Sequence, residues 1–337
     1  MTDQAEGATV PFHLPVLLTE VLGQLGVRPD GVFVDATVGD GGHALSFLRA
    51  SSPQGRVCGI DLDPRSLVRA QQRLVSFGVR FTPVLGSYAE MVSLVQGAWG
   101  VEARADGVLL DLGISSRQVD ATGFGFSFQR DEPLDMRFDP EANIPTAADI
   151  VNHWSRDDLT AVIREYGEEP RAAAIAAAIV RQRPVGTTGA LASLVAGVLG
   201  RRAAGGSGRR GGRRPARTHP ATRTFQALRI AVNDELNTLS AGLEAAVELL
   251  APQGRVAVIS YHSLEDRLVK NFLAREAAQC LCPPGLPVCV CQHRPRLSLV
   301  NRRIIRPGAE EVAANPRSRS ARLRVAQRLA EQGGTEN

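Results

Sequence analysis

Hydrophobic positions in the first third of the chain come in short runs rather than at helical spacing. Val32–Asp35, Arg56–Asp61, residues 79–84 and residues 106–111 are mostly apolar, and three of the four end in a carboxylate. Runs of this length and composition are expected of parallel strands buried on both faces. Between them lie helical patterns. Asp63-Pro64 supplies an N-cap and an N1 proline for a helix expected to run to about Phe77. Strands alternating with helices predict right-handed βαβ units in a doubly wound sheet, with any ligand outside the carboxyl ends of the strands.

After Asp111 the alternation stops. Residues 123–140 are rich in Gly, Phe and Asp, and residues 147–199 read as helices, Ala-rich from 171 to 183. A Gly/Arg-rich stretch, 201–217, reads as a linker or loop. Leu228, Val232, Leu236, Leu239, Leu243, Val247 and Leu250 then repeat at spacings of three and four, predicting one long helix with a single apolar stripe. It leads into a fifth strand at 254–260. The expected organisation is an α/β domain in two parts, 1–134 and 218–337, around an inserted helical subdomain and linker at 135–217, with a basic C-terminal tail.

Composition narrows the class. The 337 residues are 44% hydrophobic and 22% charged, which excludes a disordered, collagen-like or disulfide-scaffold chain. The longest apolar runs, such as 172–180, are too short for a bilayer span, and residues 1–10 lack a basic segment followed by an apolar one. A cytoplasmic protein without membrane contact is expected. The net charge of +4 says little, but residues 201–217 hold seven arginines and no acid, and residues 294–324 hold nine arginines against Glu310 and Glu311. These are candidate phosphate-contacting surfaces. Lys270 is the only lysine, so a general preference for arginine accounts for part of the clustering.

The first strand-to-helix turn reads Asp35-Ala-Thr-Val-Gly-Asp-Gly41-Gly42-His43. Glycines there let a ligand approach the backbone, and the helix that follows presents free N–H groups. Asp61 ends the second strand 20 residues after Gly41, where a carboxylate can accept from both hydroxyls of a ribose. The spacing Gly39-x-Gly41-x-x-Ala44 also satisfies the dinucleotide fingerprint, so an NAD-dependent oxidoreductase is an alternative. A non-enzymatic RNA-binding, ribosome-assembly module is a second; it accounts for the arginines but not for Gly41 to Asp61. Asp111, at the end of the fourth strand, is placed either to contact a ligand or to cap the next element.

Ten segments, in order, closely resemble the RsmH/MraW family. They are His13-Leu-Pro-Val-Leu-Leu-Thr-Glu20, Gly41-Gly42-His43, Gly59-Ile-Asp-Leu-Asp-Pro64, Asp111-Leu-Gly-Ile-Ser-Ser-Arg-Gln118, Gly125-Phe-Ser-Phe128, Pro133-Leu-Asp-Met-Arg137, Tyr166-Gly-Glu-Glu169, His219 through Glu235, Ser260-Tyr-His-Ser-Leu-Glu-Asp-Arg267 and Asn315 through Arg324. The resemblance implies a class I S-adenosylmethionine-dependent methyltransferase fold, Rossmann-like and doubly wound, with an inserted helical subdomain. It also implies S-adenosylmethionine-dependent methylation of the exocyclic N4 of a cytidine in the 16S ribosomal RNA of the small subunit, with no DNA partner.

Carried over position by position, the resemblance places Gly41, Gly42 and His43 at the methionine end of the cofactor, Asp61 at its ribose, and Tyr88 and Asp111 on the adenine side. Gln118 closes the pocket. Tyr88 departs from the phenylalanine usual in the family, and Phe124 replaces the arginine that generally precedes Gly-Phe-Ser-Phe. For catalysis the candidates are Asp111, to hold the amine; Asp135, which with Arg137 lies in a charged stretch able to orient base or phosphate; and His262, as proton acceptor or substrate positioner. Phe126 and Phe128 are candidate stacking faces for a flipped base or simply core residues.

No metal is assigned to this site. Cys280-x-Cys282 and Cys289-x-Cys291, which flank Pro283-Pro284-Gly285, offer either a four-thiolate zinc site, with His293 as a substitute ligand, or exposed thiols. The family's shared segments do not include them.

Overall fold

A computed structural model describes residues 15–114, 123–200, 219–283, 286 and 288–330. Gln118 and the arginine-rich 201–217 stretch lie outside the described residues. Helices α1 (Leu18–Leu25), α2 (Gly42–Ala50), α3 (Pro64–Arg73) and α4 (Met91–Trp99) alternate with strands β1 (Val32–Asp35), β2 (Arg56–Asp61), β3 (Phe81–Leu85) and β4 (Ala105–Asp111). Helices α5 (Ala147–His153), α6 (Arg156–Glu165), α7 (Ala172–Gln182), α8 (Thr188–Gly200), α9 (Thr222–Asn233) and α10 (Glu235–Leu249) follow. The chain then forms β5 (Leu250–Ser260), α11 (Ser263–Glu276), β6 (Leu297–Leu299), α12 (Ala309–Ala314) and β7 (Arg322–Arg328).

The sheet order is β3-β2-β1-β4-β5-β7-β6. Strands β1 to β5 pair in parallel, and β7 runs antiparallel between β5 and β6. This is the class I methyltransferase arrangement. Side chains alternate across a strand, so neighbouring residues feed opposite faces. Val34, Cys58, Leu110 and Val258 pack with Met91 and Val95 of α4, Leu243 of α10 and Phe272 of α11. Phe33, Val57, Leu109 and Ile259 pack with Val21 of α1, Phe47 of α2 and Ala70 of α3. Both faces are covered, which is why these strands are apolar throughout.

The chain divides into two compact units, residues 1–113 with 238–337, and residues 114–237. The second is wider than the 135–217 segment read from the sequence, because Leu134, Met136, Phe225, Leu228 and Val232 join Ile150, Ile163, Ile179 and Val195 in one buried cluster. No helix among the described residues is long and apolar enough to cross a membrane.

Three local expectations need correction. The stripe from Leu228 to Leu250 is not one helix: α9 ends at Asn233, Asp234 after it is left-handed (φ 48°), and α10 starts at Glu235. Leu228 and Val232 serve the inserted unit's core, whereas Leu239, Leu243 and Val247 serve the sheet. An unbroken spacing of three and four therefore conceals a change of core. Likewise α3 stops at Arg73, and Val75–Arg80 is a 3-10 segment broken at Gly78 (φ 54°). Val79, 96% exposed, precedes β3 rather than starting it.

Substituting Leu228→Ala or Leu243→Ala is expected to cost about 2–5 kcal/mol each. Amide hydrogen exchange should rise within 114–237 for the first and within 1–113 and 238–337 for the second. The same amides loosening in both variants would contradict the division of the stripe.

Candidate functional site

In the sheet, β1 and β4 are neighbours at the point where strand order reverses, the usual place for a ligand in an open α/β sheet. Backbone bonds continue the strands just past their ends: Ala36 N–H donates to Leu109 O (2.9 Å), Val38 N–H to Ile60 O (2.9 Å) and Gly86 N–H to Asp61 O (3.0 Å). Asp111 N–H donates to Thr37 Oγ1 at 2.7 Å, tying the end of β4 to the turn after β1. In that turn Gly39 (φ 51°) and Gly41 (φ 76°) are left-handed, which explains the glycines. A Cβ on Gly39 would meet nothing within 4 Å, so the turn is open on that side. Asp40 turns toward α3, where Arg69 Nε donates to it at 2.7 Å, and Asp63 caps the same helix through Arg65 N–H (3.0 Å).

Asp61 is held as an acceptor. Its Oδ2 takes the Gly39 N–H (2.8 Å) and its Oδ1 the Asp63 N–H (2.9 Å), and each oxygen retains a lone pair for a ribose hydroxyl. Burial pushes its carboxyl up to about 6, against the two backbone donors. Asp35 is 1% exposed, and burial pushes it up to about 7, with His43 opposing and Asp111 and Asp61 reinforcing. His43, on the first turn of α2, is 5% exposed, and neither ring nitrogen has a hydrogen-bond partner. Its Nε2 is 3.7 Å from Asp111 Oδ2. Tyr261 donates its hydroxyl to Asp111 Oδ1 at 2.8 Å, and burial, then the Asp111 charge, holds its phenol well above the usual range.

Gly41, Gly42, His43, Asp61 and Asp111 are thus brought to one end of the sheet. Three carboxylates and a buried histidine lacking a partner suit a ligand carrying hydroxyl donors and positive charge, as S-adenosylmethionine does. Tyr88 follows β3 in a 3-10 turn, and a Cβ on Gly242 of α10 would lie 2.4 Å from its ring. The absence of a side chain at Gly242 lets the ring lie against the helix.

His262 is the N-cap of α11. Its Nδ1 accepts the Glu265 N–H (3.3 Å), and Glu265 Oε2 accepts from Tyr261 N–H (2.7 Å) and His262 N–H (3.1 Å). With Nδ1 engaged as acceptor, the neutral ring carries its proton on Nε2. That nitrogen lies 3.1 Å from Glu265 Oε1 but out of line for a hydrogen bond. The ring therefore fixes the start of α11, and with it Tyr261.

Asp135 belongs to the inserted unit. Its oxygens accept from Arg137 Nε (2.8 Å) and Nη2 (2.9 Å), while Arg137 Nη1 donates to Ala142 O (2.7 Å), bracing the loop before α5. Phe126 and Phe128 pack against that unit's core, Phe128 stacked on His219 at 4.4 Å. Phe124 is 8% exposed, with its ring on Phe126 at 5.9 Å. Asp35, Thr37 and Tyr261 were not singled out from the sequence. The aspartate and threonine stand inside the glycine turn's own motif and were legible, whereas the partner of Tyr261 is 150 residues away.

The model of the MraW methylase family matches residues 11–329. Ribosomal RNA small subunit methyltransferase H of Thermomicrobium roseum is 52% identical over 324 residues, covering 95% of this chain and 95% of that protein. The protein of the same name from Symbiobacterium thermophilum is 50% identical over 327 residues, covering 96% and 98%. That from Geobacter sulfurreducens is 49% identical over 321 residues, covering 94% and 99%.

Asp35 generates a pH prediction. Its folded value, about 7, lies above the 3.8 of an unburied aspartate. Between those values the folded chain keeps a proton that the unfolded chain has released, so stability falls as pH rises through the window. Asp35→Asn should remove that fall, gaining on the wild type by up to about 4 kcal/mol above the window and nothing below it. Urea unfolding across the window reads the difference. Wild-type and variant curves running parallel throughout would contradict an ionisable Asp35 held neutral by burial.

Proposed function

The chain belongs to the MraW methylase family, and on that premise we propose that it methylates the exocyclic N4 of a cytidine in the 16S ribosomal RNA of the small ribosomal subunit, using S-adenosylmethionine. The observation that carries the reading is the cluster at the ends of β1, β2 and β4: Asp35 and Asp111 beside His43, with Asp61 near Asp35. Family membership sets aside the NAD-dependent oxidoreductase that the glycine spacing left open.

When bound, S-adenosylmethionine supplies an electrophilic methyl group on a sulfonium. The chain's task is then to hold two partners in line and in a dry pocket. Asp61, already oriented by two backbone donors, accepts from the ribose hydroxyls. The turn, open at Gly39, admits the ligand against the backbone, with Gly41, Gly42 and His43 at the methionine end. Tyr88 covers the adenine, and Gln118 is carried as a further pocket residue by the family resemblance alone.

A cytosine amine is a weak nucleophile because its lone pair is delocalised into the ring. An acceptor that holds an amine N–H and favours a tetrahedral nitrogen lowers the barrier. Asp111 fits that role, since Tyr261 occupies Oδ1 and leaves Oδ2 turned toward His43. His262 acts as a positioning residue through Tyr261. Asp135, which braces the loop before α5 with Arg137, is carried as a catalytic candidate by the family resemblance alone.

For RNA, eight of the nine arginines in residues 294–324 fall into two groups. Arg296 pairs with Glu276, and Arg322 and Arg324 pair with Asp266, so these serve the fold. Arg294, Arg302, Arg303, Arg306 and Arg319 are exposed and suit phosphate contact. A ribosomal RNA substrate fits a cytoplasmic enzyme that acts on RNA; no helix among the described residues is long and apolar enough to cross a membrane.

The test is product identity. Isotope-labelled methyl from S-adenosylmethionine should appear, by nucleoside mass spectrometry, on the exocyclic nitrogen of a cytidine in small-subunit RNA; label on a ring carbon or a ribose oxygen would refute the amine mechanism. Asp61→Ala should weaken S-adenosylmethionine binding by about 1–3 kcal/mol, the scale of hydrogen bonds to a charged acceptor, while the chain stays folded. Calorimetric titration giving wild-type affinity would remove Asp61 from the site.

A further inference from the structure

The loop from α11 to β6 contains four of the chain's five cysteines and little else that holds it together. At its base it is clamped. Glu276, 3% exposed, accepts from Arg296 Nε (2.5 Å) and Arg275 Nε (2.8 Å), and its carbonyl accepts the Arg296 N–H (2.9 Å). Glu244 bridges the same two arginines at 2.5 and 2.6 Å. Beyond the clamp no apolar core forms among the described residues: Leu281, Leu286, Val288 and Val290 are 45%, 49%, 71% and 71% exposed. Hydrophobic burial therefore does not explain why the outer loop folds back on itself.

The sulfurs do converge. Cys280 Sγ is 3.4 Å from Cys289 Sγ and 3.8 Å from Cys291 Sγ. Cys289 Sγ is 3.9 Å from Cys282 Sγ and 3.5 Å from Cys291 Sγ. All four lie within 4.8 Å of one another. In a tetrahedron with zinc–sulfur bonds of about 2.3 Å, each sulfur–sulfur edge is about 3.8 Å. The observed separations bracket that edge, and they are closer than four thiols with only weak S–H donors have reason to come.

We propose that Cys280, Cys282, Cys289 and Cys291 form a four-thiolate site for one zinc ion, which cross-links the outer end of the loop between α11 and β6. The C-x-C spacing is tighter than the usual two to four intervening residues, and bends at Cys282 and Cys291 accompany the approach of the sulfurs. Two such segments face each other and present two sulfurs each. Backbone donors already surround the sulfurs: Leu281 N–H points to Cys291 Sγ, Cys282 N–H to Cys280 Sγ and Val290 N–H to Cys282 Sγ, all at 3.3 Å. Such donors spread thiolate charge and orient the ligands, the usual outer support of a metal site. Four sulfurs complete the coordination, so His293 is not required. The ion supplies the cross-link that burial does not, while the Glu276–Arg296 clamp holds the other end.

The test uses the full-length protein, reduced and then freed of reductant under anaerobic conditions. With zinc supplied and excess removed, elemental analysis should find one zinc per chain, and cobalt in its place should give the intense visible absorption of a tetrahedral tetrathiolate site. Zinc should also slow the reaction of four thiols with a chromogenic disulfide reagent, and chelation should restore it. Cys280→Ser with Cys289→Ser should abolish retention of the metal, whereas Cys58→Ala, at the buried cysteine of β2, should not. Because the double variant risks misfolding, the wild-type cobalt spectrum and thiol protection stand on their own. No retained metal together with unchanged thiol reactivity, or a Cys280–Cys289 disulfide in place of metal, would overturn the proposal.

Discussion

Three strand ends that meet where the sheet reverses order place three carboxylates close together in a buried space, and much of the site is arranged around the cost of burying that charge. Asp35 responds by holding its proton to about pH 7. Asp61 is stabilised by two backbone N–H groups and Asp111 by the Tyr261 hydroxyl. The glycine turn supplies one of those donors, the start of α3 another, and the strand-to-helix junction at Ser260–Tyr261–His262 the third. A cationic ligand would relieve the remaining charge, and the unpartnered nitrogens of His43 mark where polar atoms are still missing.

The inserted unit is organised on different physics. Its helices close on Leu134, Met136, Ile150, Ile163, Ile179 and Leu228, while the Asp135–Arg137 pair and Asn233, which accepts from Phe138 N–H and donates to Met136 O, fix the segment leading into it. The left-handed residue at Asp234 is where the chain passes from one core to the other, and the Arg229–Glu235 pair, at 2.7 and 2.8 Å, secures that junction.

What was legible in the sequence follows from these constraints. Strands β1, β2 and β4 stood out because both of their faces are covered, and Asp61 stood out because its distance from the glycine turn is set by one strand–helix repeat. Strand β7 was hidden: Leu323 and Val325 are buried, but Arg322 and Arg324 alternate with them and read as tail, since their partner Asp266 is remote in sequence. The stripe from Leu228 to Leu250 misled for the reason already given, that hydrophobic spacing records helix and not which core the helix serves. The cysteine spacing leaves zinc and free thiols open, and the convergence of the two C-x-C segments is what the proposed zinc site rests on. For His262 the sequence suggested proximity to the site, but its use of Nδ1 as a cap depends on local geometry that no spacing reveals.

The central claim is that buried carboxylates at the ends of β1 and β4 recognise the positive charge of the cofactor. The most direct test compares the affinity for S-adenosylmethionine with that for the uncharged thioether S-adenosylhomocysteine across the range in which Asp35 ionises. Contacts to ribose, adenine and the amino-acid end are common to both ligands and cancel in the ratio. Preference for the sulfonium should grow as pH rises through about 7 and should lose that dependence in Asp35→Asn. A ratio that stays flat with pH in the wild type would contradict the account.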